Sequence, residues 1–209
     1  MISFDKTAIE NLEHLNKINL INSATGYKSA SLIGTKSKKG ISNLAIFSSV
    51  THFGSAPAIY GFIVRPTTVR RNTYDNIKES GIFTLNPVFE EKITDAHHTS
   101  AKYDDEISEF NKTSFEEEYK ENWNAPFVKN APLQIAMKFL EEVHIKVNGT
   151  ILILASVEKI HVRKEMLSED YFINLSKGNI AAINGLDGYS VPKETTRLPY
   201  QRPKKQEII

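Results

Sequence analysis

A cluster of arginines is the feature of this sequence that points most directly to chemistry. Three of the six arginines, Arg65, Arg70 and Arg71, lie close together and precede Thr73, where a helix is predicted to begin. A guanidinium group holds a phosphate in a fork of hydrogen bonds, and the free N–H groups of a helix start also favour an anion. The sequence predicts a phosphate site, but an exposed turn whose arginines pair with the acidic segment 102–123 is equally consistent with the composition.

The histidines do not form a recognisable metal or catalytic site. His97 and His98 are adjacent, so on a helix they cannot both face one metal ion, and a surface helix turn is the simpler interpretation. His144 and His161 fall on the faces of predicted strands, where we expect structural roles. His52 lies in a predicted loop and is either a pocket-lining residue or ordinary polar surface. We predict no metal ligand.

Several sequence signatures of catalysis are also missing. The chain has no Gly-rich dinucleotide fingerprint, no Gly-x-x-x-x-Gly-Lys-Ser/Thr loop, no His-Glu-x-x-His and no Gly-x-Ser-x-Gly. Cysteine is absent, which excludes disulfides, thiolate metal sites and a cysteine nucleophile. We therefore predict no catalytic side chain.

The composition is that of an ordinary globular protein. The chain has 209 residues, 40% of them hydrophobic, with 26 basic and 25 acidic side chains. A net charge of +1 gives no reason to expect nucleic acid or an anionic membrane as a main partner. The first residues lack the basic and apolar regions of a signal peptide, and no segment has the ~20 apolar residues that span a bilayer. We expect a cytoplasmic protein.

The clearest periodicity lies in the second half of the chain. Apolar residues alternate with polar ones over 133–147, which predicts a long strand with one buried face. Asn148-Gly149 is typical of a two-residue hairpin turn, and 150–162 is the returning strand. Residues 151–154 are all apolar, so something is expected to cover each face of this strand.

Further strands and a few helices complete the prediction. We predict strands over 28–35, 41–50, 59–64 and 82–85, a loop over 51–57, helices over 6–18, 73–80, 89–99 and 167–174, and a solvated helix and loop over 102–123. Thr73 is the expected N-cap of its helix and Gly81 its end. Because strands dominate without regularly alternating helices, this pattern favours an antiparallel barrel with helical insertions over a doubly wound α/β sheet.

Several segments resemble one known family. The run Asn43-Leu44-Ala45-Ile46-Phe47-Ser48 resembles the Asn-x-Ala-Pro-Phe-Ser signature of the flavin reductase-like, FMN-binding split-barrel proteins. Further similar pieces follow in the same order, namely 55–57, 61–66, 70–73 and 76–86, so that the resemblance covers about 20–165. Ile46 stands where the family usually has proline, and Arg71-Asn72 replaces Lys-Asp. The second change keeps a cation but removes an acid.

The resemblance implies a fold and a binding site. The fold is mainly β, an antiparallel Greek-key split β-barrel with peripheral helices. It implies one domain over 1–209, with a helical, acidic excursion at about 89–125 and an irregular tail at about 190–209. The family forms homodimers, with FMN near the subunit interface. The implied FMN-binding residues are Asn43, Ala45, Ile46, Phe47, Ser48 and Ser49 for the ring and ribityl chain, Arg65, Arg70, Arg71 and Thr73 for the phosphate, and His52 and Phe53 near the ring or its entrance.

The resemblance also implies a function. Proteins of this family transfer a hydride from NAD(P)H to flavin, and the electrons pass on to free flavin or another small acceptor. Because the flavin carries this chemistry, no catalytic side chain is required. A different hypothesis is a non-catalytic split-barrel protein that binds flavin or haem as a carrier or sensor, since no nicotinamide site is identifiable. Binding of another phosphorylated ligand rests on the arginines alone.

Overall fold

The protein is mainly β, as the computed structural model of residues 1–203 shows. Its strands are β1 (Lys28–Ser29), β2 (Ser31–Lys36), β3 (Ser42–Phe47), β4 (Thr51–Ser55), β5 (Ala58–Val64), β6 (Ile82–Pro87), β7 (Glu117–Glu118), β8 (Phe127–Val128), β9 (Leu133–Ile145), β10 (Thr150–Val162), β11 (Ala182–Asn184) and β12 (Gly188–Ser190). The α-helices are α1 (Lys6–Glu10), α2 (His14–Ser23), α3 (Asn72–Ser80) and α4 (Ile93–His98). None of the helices within residues 1–203 is long and apolar enough to cross a membrane.

Seven strands form one antiparallel sheet in the order β3-β2-β6-β9-β10-β5-β4. Strands β3 and β4 follow each other in the chain but lie at opposite edges of this sheet. If the sheet were flat, about 29 Å would separate these edges, at roughly 4.8 Å per neighbouring strand. The link over 48–50 reaches at most about 14 Å. The sheet therefore curls into a barrel with an open seam between its edges, and the predicted antiparallel split barrel with peripheral helices is confirmed.

The seam is held by one side chain of the link. Ser49 Oγ accepts a hydrogen bond from the Ile63 N–H at 3.0 Å and donates to the Ile63 carbonyl oxygen at 3.3 Å. Both bonds attach the link to β5, although β3 and β5 are not paired strands. The gap that remains beside β3 is where the candidate site lies.

Two groups of buried side chains stabilise the barrel. Inside it, the ring of Phe62 packs edge-on against Phe47 and Phe83, with ring centroids 5.0 and 5.6 Å apart. A second group lies on the other face of β2 and β3, where Leu44 packs in a cluster with Phe110 and Phe115. Both faces of β3 are therefore packed, which fixes this edge strand.

Close packing also requires a glycine in β2. A Cβ atom at Gly34 would overlap the carbonyl oxygen of Pro126 and lie 2.6 Å from Thr84 Oγ1. The Thr84 hydroxyl donates to the same carbonyl at 2.6 Å. The segment before β8 therefore lies directly on the sheet.

Three secondary-structure predictions are wrong. The helix predicted over 6–18 is two helices, α1 and α2, which are separated at 11–13, and neither has a buried residue within residues 1–203. The loop predicted over 51–57 contains β4, which pairs with β5. The helix predicted over 167–174 is an extended turn with a bridge between Leu167 and Ile173, followed by a 3-10 helix at Leu175–Gly178.

The segment 102–123 is less solvated than predicted. Glu109, Phe110 and Phe115 are buried, and the two aromatic rings anchor the segment against the sheet. Ser42 of β3 also hydrogen-bonds to Ser108 at 2.8 Å and to Glu117. The acidic segment is therefore a cover packed on β3. The predicted tail is irregular from 191 to 203, and its last residues, 204–209, lie outside the described part of the chain.

Candidate functional site

A cleft of about 510 Å³ opens along the seam beside β3. Its walls come from β3 and the link after it, the end of β5, the start of α3 and the segment after α4. Ten of the predicted site residues line it, namely Asn43, Ala45, Ile46, Phe47, Ser48, Ser49, Arg65, Arg70, Arg71 and Thr73. The size lies within the ~300–1,000 Å³ common for small-molecule sites.

The open edge of β3 supplies backbone donors to this cleft. The Leu44 N–H points away from β2 and donates to Glu109 Oε2 at 2.9 Å. Because N–H groups alternate in direction along a strand, the Ile46 N–H also points away from β2. A planar ligand lying along this edge can therefore accept a hydrogen bond from the Ile46 N–H, a donor that a proline at this position would lack.

A buried hydrogen bond ties β3 to the start of α3. Asn43 Nδ2 donates to Thr73 Oγ1 at 3.1 Å, and both residues are buried. The prediction of Thr73 as the N-cap is wrong, because the helix begins at Asn72 and Thr73 lies within its first turn. Arg71 is the N-cap, and no side chain within residues 1–203 caps the helix there. The first N–H groups of α3 remain free to bind an anion. Gly81 ends the helix as predicted, with φ of 72°.

The three arginines of the turn have different surroundings. Arg70 Nε lies 3.2 Å from Asp75 Oδ2, and its guanidinium also pairs with Asp105, so the alternative prediction of pairing with segment 102–123 is correct for Arg70. Arg65 is exposed. The Nε of Arg71 is buried and has no hydrogen-bond partner among residues 1–203. A buried, unsatisfied donor of this kind costs free energy unless a ligand accepts from it.

The remaining two predicted residues, His52 and Phe53, do not line the cleft. His52 Nε2 lies 3.1 Å from Ser55 Oγ within the same hairpin. Phe53 is 51% exposed and packs over Gly61 on the outer face of the sheet.

Sequence reasoning missed the opposite wall of the cleft, which comes from residues after α4. Tyr103 lines the cleft, and its hydroxyl lies 2.5 Å from His98 Nε2. Glu109 lines it too and is 7% exposed. Burial raises the pKa of the Glu109 carboxyl, and the hydrogen bond from Leu44 partly offsets this effect. The one signal in the sequence was the pair of aromatic residues, Phe110 and Phe115, within an acidic run.

The site offers donors for an anion and for further hydrogen bonds. In the described chain, residues 1–203, no group of three His, Asp or Glu side chains could hold a metal ion. His97 and His98 instead contact Tyr189 and Tyr103.

Comparison with known proteins relates the chain to one family. Residues 27–180 match the model of the flavin reductase like domain. No curated protein matches the chain.

Solved structures share the fold over most of the chain. A candidate flavin reductase with a split barrel domain from Shewanella frigidimarina is 38% identical, with a TM-score of 0.92, and the match covers 96% of this chain and 100% of that one. The 2-nitrobenzoate 2-nitroreductase NbaA of Pseudomonas fluorescens is 17% identical, with a TM-score of 0.82 and coverage of 99% and 100%. An FMN-binding protein from Thermus thermophilus is 15% identical, with a TM-score of 0.67 and coverage of 85% and 93%.

Proposed function

This chain belongs to the flavin reductase-like family, and we propose that it is an FMN-binding oxidoreductase that takes a hydride from NAD(P)H and passes electrons to free flavin or another small acceptor. A cytoplasmic location is part of the same proposal and is tested by cell fractionation.

The observation that carries this proposal is the buried Nε of Arg71, which has no hydrogen-bond partner among residues 1–203. It lies at the start of α3, where no side chain of that range caps the helix. A phosphate at this point would accept from Arg71 and from the free N–H groups of the helix, and it would satisfy donors that are otherwise unpaired. This end of the cleft therefore favours FMN over riboflavin, which has no phosphate. The FMN-binding protein from Thermus thermophilus, which shares the fold, is in line with this choice.

The other end of the cleft suits a flat ring. The Ile46 N–H faces the cleft from the open edge of β3, while Phe47 and Ala45 supply apolar contacts. When bound, FMN supplies hydride transfer between the nicotinamide and the acceptor. The protein's own contribution is to hold the phosphate at Arg71, to orient the ring along β3 and to keep one face open to the second substrate. No side chain has to act as a nucleophile.

A homodimer is also part of the proposal, and the outer face of the sheet supports it. Phe53 and Val143 are 51% and 47% exposed there, and Leu152, Leu154 and Ile63 lie between them on paired strands. This patch accounts for the second apolar face of residues 151–154, because the barrel of a single chain covers only the other face. A second copy of the chain would bury this patch.

The proposed dimer also concerns the two predicted FMN-binding residues that lie outside the cleft. His52 and Phe53 do not line the cleft of their own chain. Any contact that they make with FMN would therefore have to occur in the cleft of the second copy.

The test is to titrate the purified protein with FMN and then to measure the consumption of NADH and NADPH with FMN present. We expect a flavin spectrum that shifts on binding, and turnover with at least one nicotinamide. Binding without turnover would favour the non-catalytic carrier or sensor. Absence of flavin binding would overturn the proposal.

A further inference from the structure

Glu109 is an unusual residue for the wall of a cleft that we propose to bind FMN. It is the one acidic residue among the buried residues of the described chain, at 7% exposure. A buried carboxylate is costly unless its oxygens are hydrogen-bonded. If its role were only to hold β3 through a hydrogen bond, a neutral glutamine would do so with a smaller desolvation cost.

The two carboxylate oxygens of Glu109 differ in their contacts. Oε2 accepts the Leu44 N–H at 2.9 Å. Within residues 1–203 no other residue donates to Oε1, and the further donor to this carboxylate is the N–H of Glu109 itself. Because Glu109 lines the cleft, this oxygen is available to a ligand there.

The place of Glu109 along β3 indicates which part of the ligand it meets. Its partner Leu44 lies between Asn43, which bonds to Thr73 at the phosphate end, and Ile46, whose N–H faces the ring end. The segment of FMN between the phosphate and the ring is the ribityl chain, which carries hydroxyl groups. A carboxylate repels a phosphate but accepts strong hydrogen bonds from hydroxyl groups.

We propose that Glu109 is a cofactor-binding residue whose carboxylate accepts a hydrogen bond from a ribityl hydroxyl of the flavin. The inference rests on the proposed function and adds a residue that the family resemblance did not point to. It assigns to the acidic segment a direct role in recognising the cofactor.

The test is to compare three flavins on the wild-type protein and on Glu109→Gln. Lumiflavin has the ring without the hydroxyl chain, riboflavin adds the chain, and FMN adds the phosphate. The glutamine retains a carbonyl oxygen for the Leu44 N–H but loses the charge. We expect the affinities for riboflavin and FMN to fall roughly tenfold, and the affinity for lumiflavin to stay unchanged.

Glu117→Gln is the matched control, because Glu117 belongs to the same segment and bonds to Ser42 but does not line the cleft. We expect it to leave all three affinities unchanged. If Glu109→Gln fails to fold, Glu109→Asp replaces it, since it withdraws the carboxylate by one methylene and should give the same selective loss.

Each outcome decides the proposal. An equal loss for all three flavins would assign Glu109 a purely structural role and overturn the inference, and so would the absence of any loss. If the wild-type protein binds none of the three, the proposed function fails and this inference fails with it. If the wild-type protein binds the flavins but Glu109→Gln weakens the binding of all three equally, this inference fails and the proposed function stands.

Discussion

Asn43 donates a hydrogen bond to Thr73 across 3.1 Å, and this bond joins β3 to the start of α3. Asn43 belongs to β3, whose open edge we propose to hold the flavin ring. Thr73 lies in the first turn of α3, beside the proposed phosphate site. Both residues are buried, at 7% and 5% exposure, so water cannot replace either partner. The start of α3 is therefore held in a fixed position relative to β3.

We expect Thr73→Val to destabilise the protein by about 1–3 kcal/mol, because it leaves the buried amide of Asn43 without its acceptor. The change is nearly isosteric, so the loss reports the hydrogen bond rather than a cavity. Urea unfolding measures it, with Thr67→Val as the control at an exposed position of the preceding turn. Equal stabilities of the two variants would contradict the prediction.

The sequence predicted one wall of the cleft but not the other. Residues such as Asn43 and Phe47 could be found because a strand edge and a helix start are local patterns that a family signature records. Glu109 and Tyr103 could not, since their place depends on how a distant segment packs on β3. The difference between Arg70 and Arg71 is also non-local, because it depends on the position of Asp105.

The fold was predictable for a similar reason. The alternation over 133–147 predicted the central hairpin, and β9 and β10 confirm it. Its loop has four residues, 146–149, rather than the two predicted from Asn148-Gly149. Strand β4, which was not predicted, has little apolar periodicity of its own and is a strand because it pairs with β5. The break between α1 and α2 lies in a stretch whose apolar spacing continues without interruption, so a periodic pattern alone does not reveal it.

We expect Phe53→Asp to convert the proposed dimer into monomers, because it places a charge in the apolar outer face of the sheet. Size-exclusion chromatography with light scattering measures the mass. Tyr171→Asp is the control, since Tyr171 is 82% exposed and lies outside this face. A wild-type protein that is already monomeric, or a Phe53 variant that remains dimeric, would contradict the proposed interface.

Glu109 should make stability depend on pH. Burial raises the pKa of its carboxyl in the folded protein above the ordinary value of about 4.3. Between the ordinary and the raised pKa the folded chain binds more protons than the unfolded chain, so this residue lowers the free energy of unfolding as pH rises. Glutamine does not titrate.

We therefore expect the stability of Glu109→Gln, relative to the wild type, to increase from about pH 4 upward and to level off above the raised pKa. Urea unfolding of both proteins across this range measures the difference. A constant difference, or one that decreases with rising pH, would show that Glu109 is not destabilised by its burial.

The most direct measurement of the central claim is the affinity of Arg71→Ala for FMN and for riboflavin. The variant should weaken FMN binding by about 1–3 kcal/mol, because it removes the buried donor proposed to hold the phosphate, and riboflavin should be little affected. Arg70→Ala should cost less, since Arg70 is exposed and already paired with Asp75 and Asp105. Arg163→Ala is the control, because Arg163 bonds to the Asn130 carbonyl outside the cleft. A selective loss for FMN is the predicted result, whereas equal losses for FMN and riboflavin, or none, would contradict a phosphate site at Arg71.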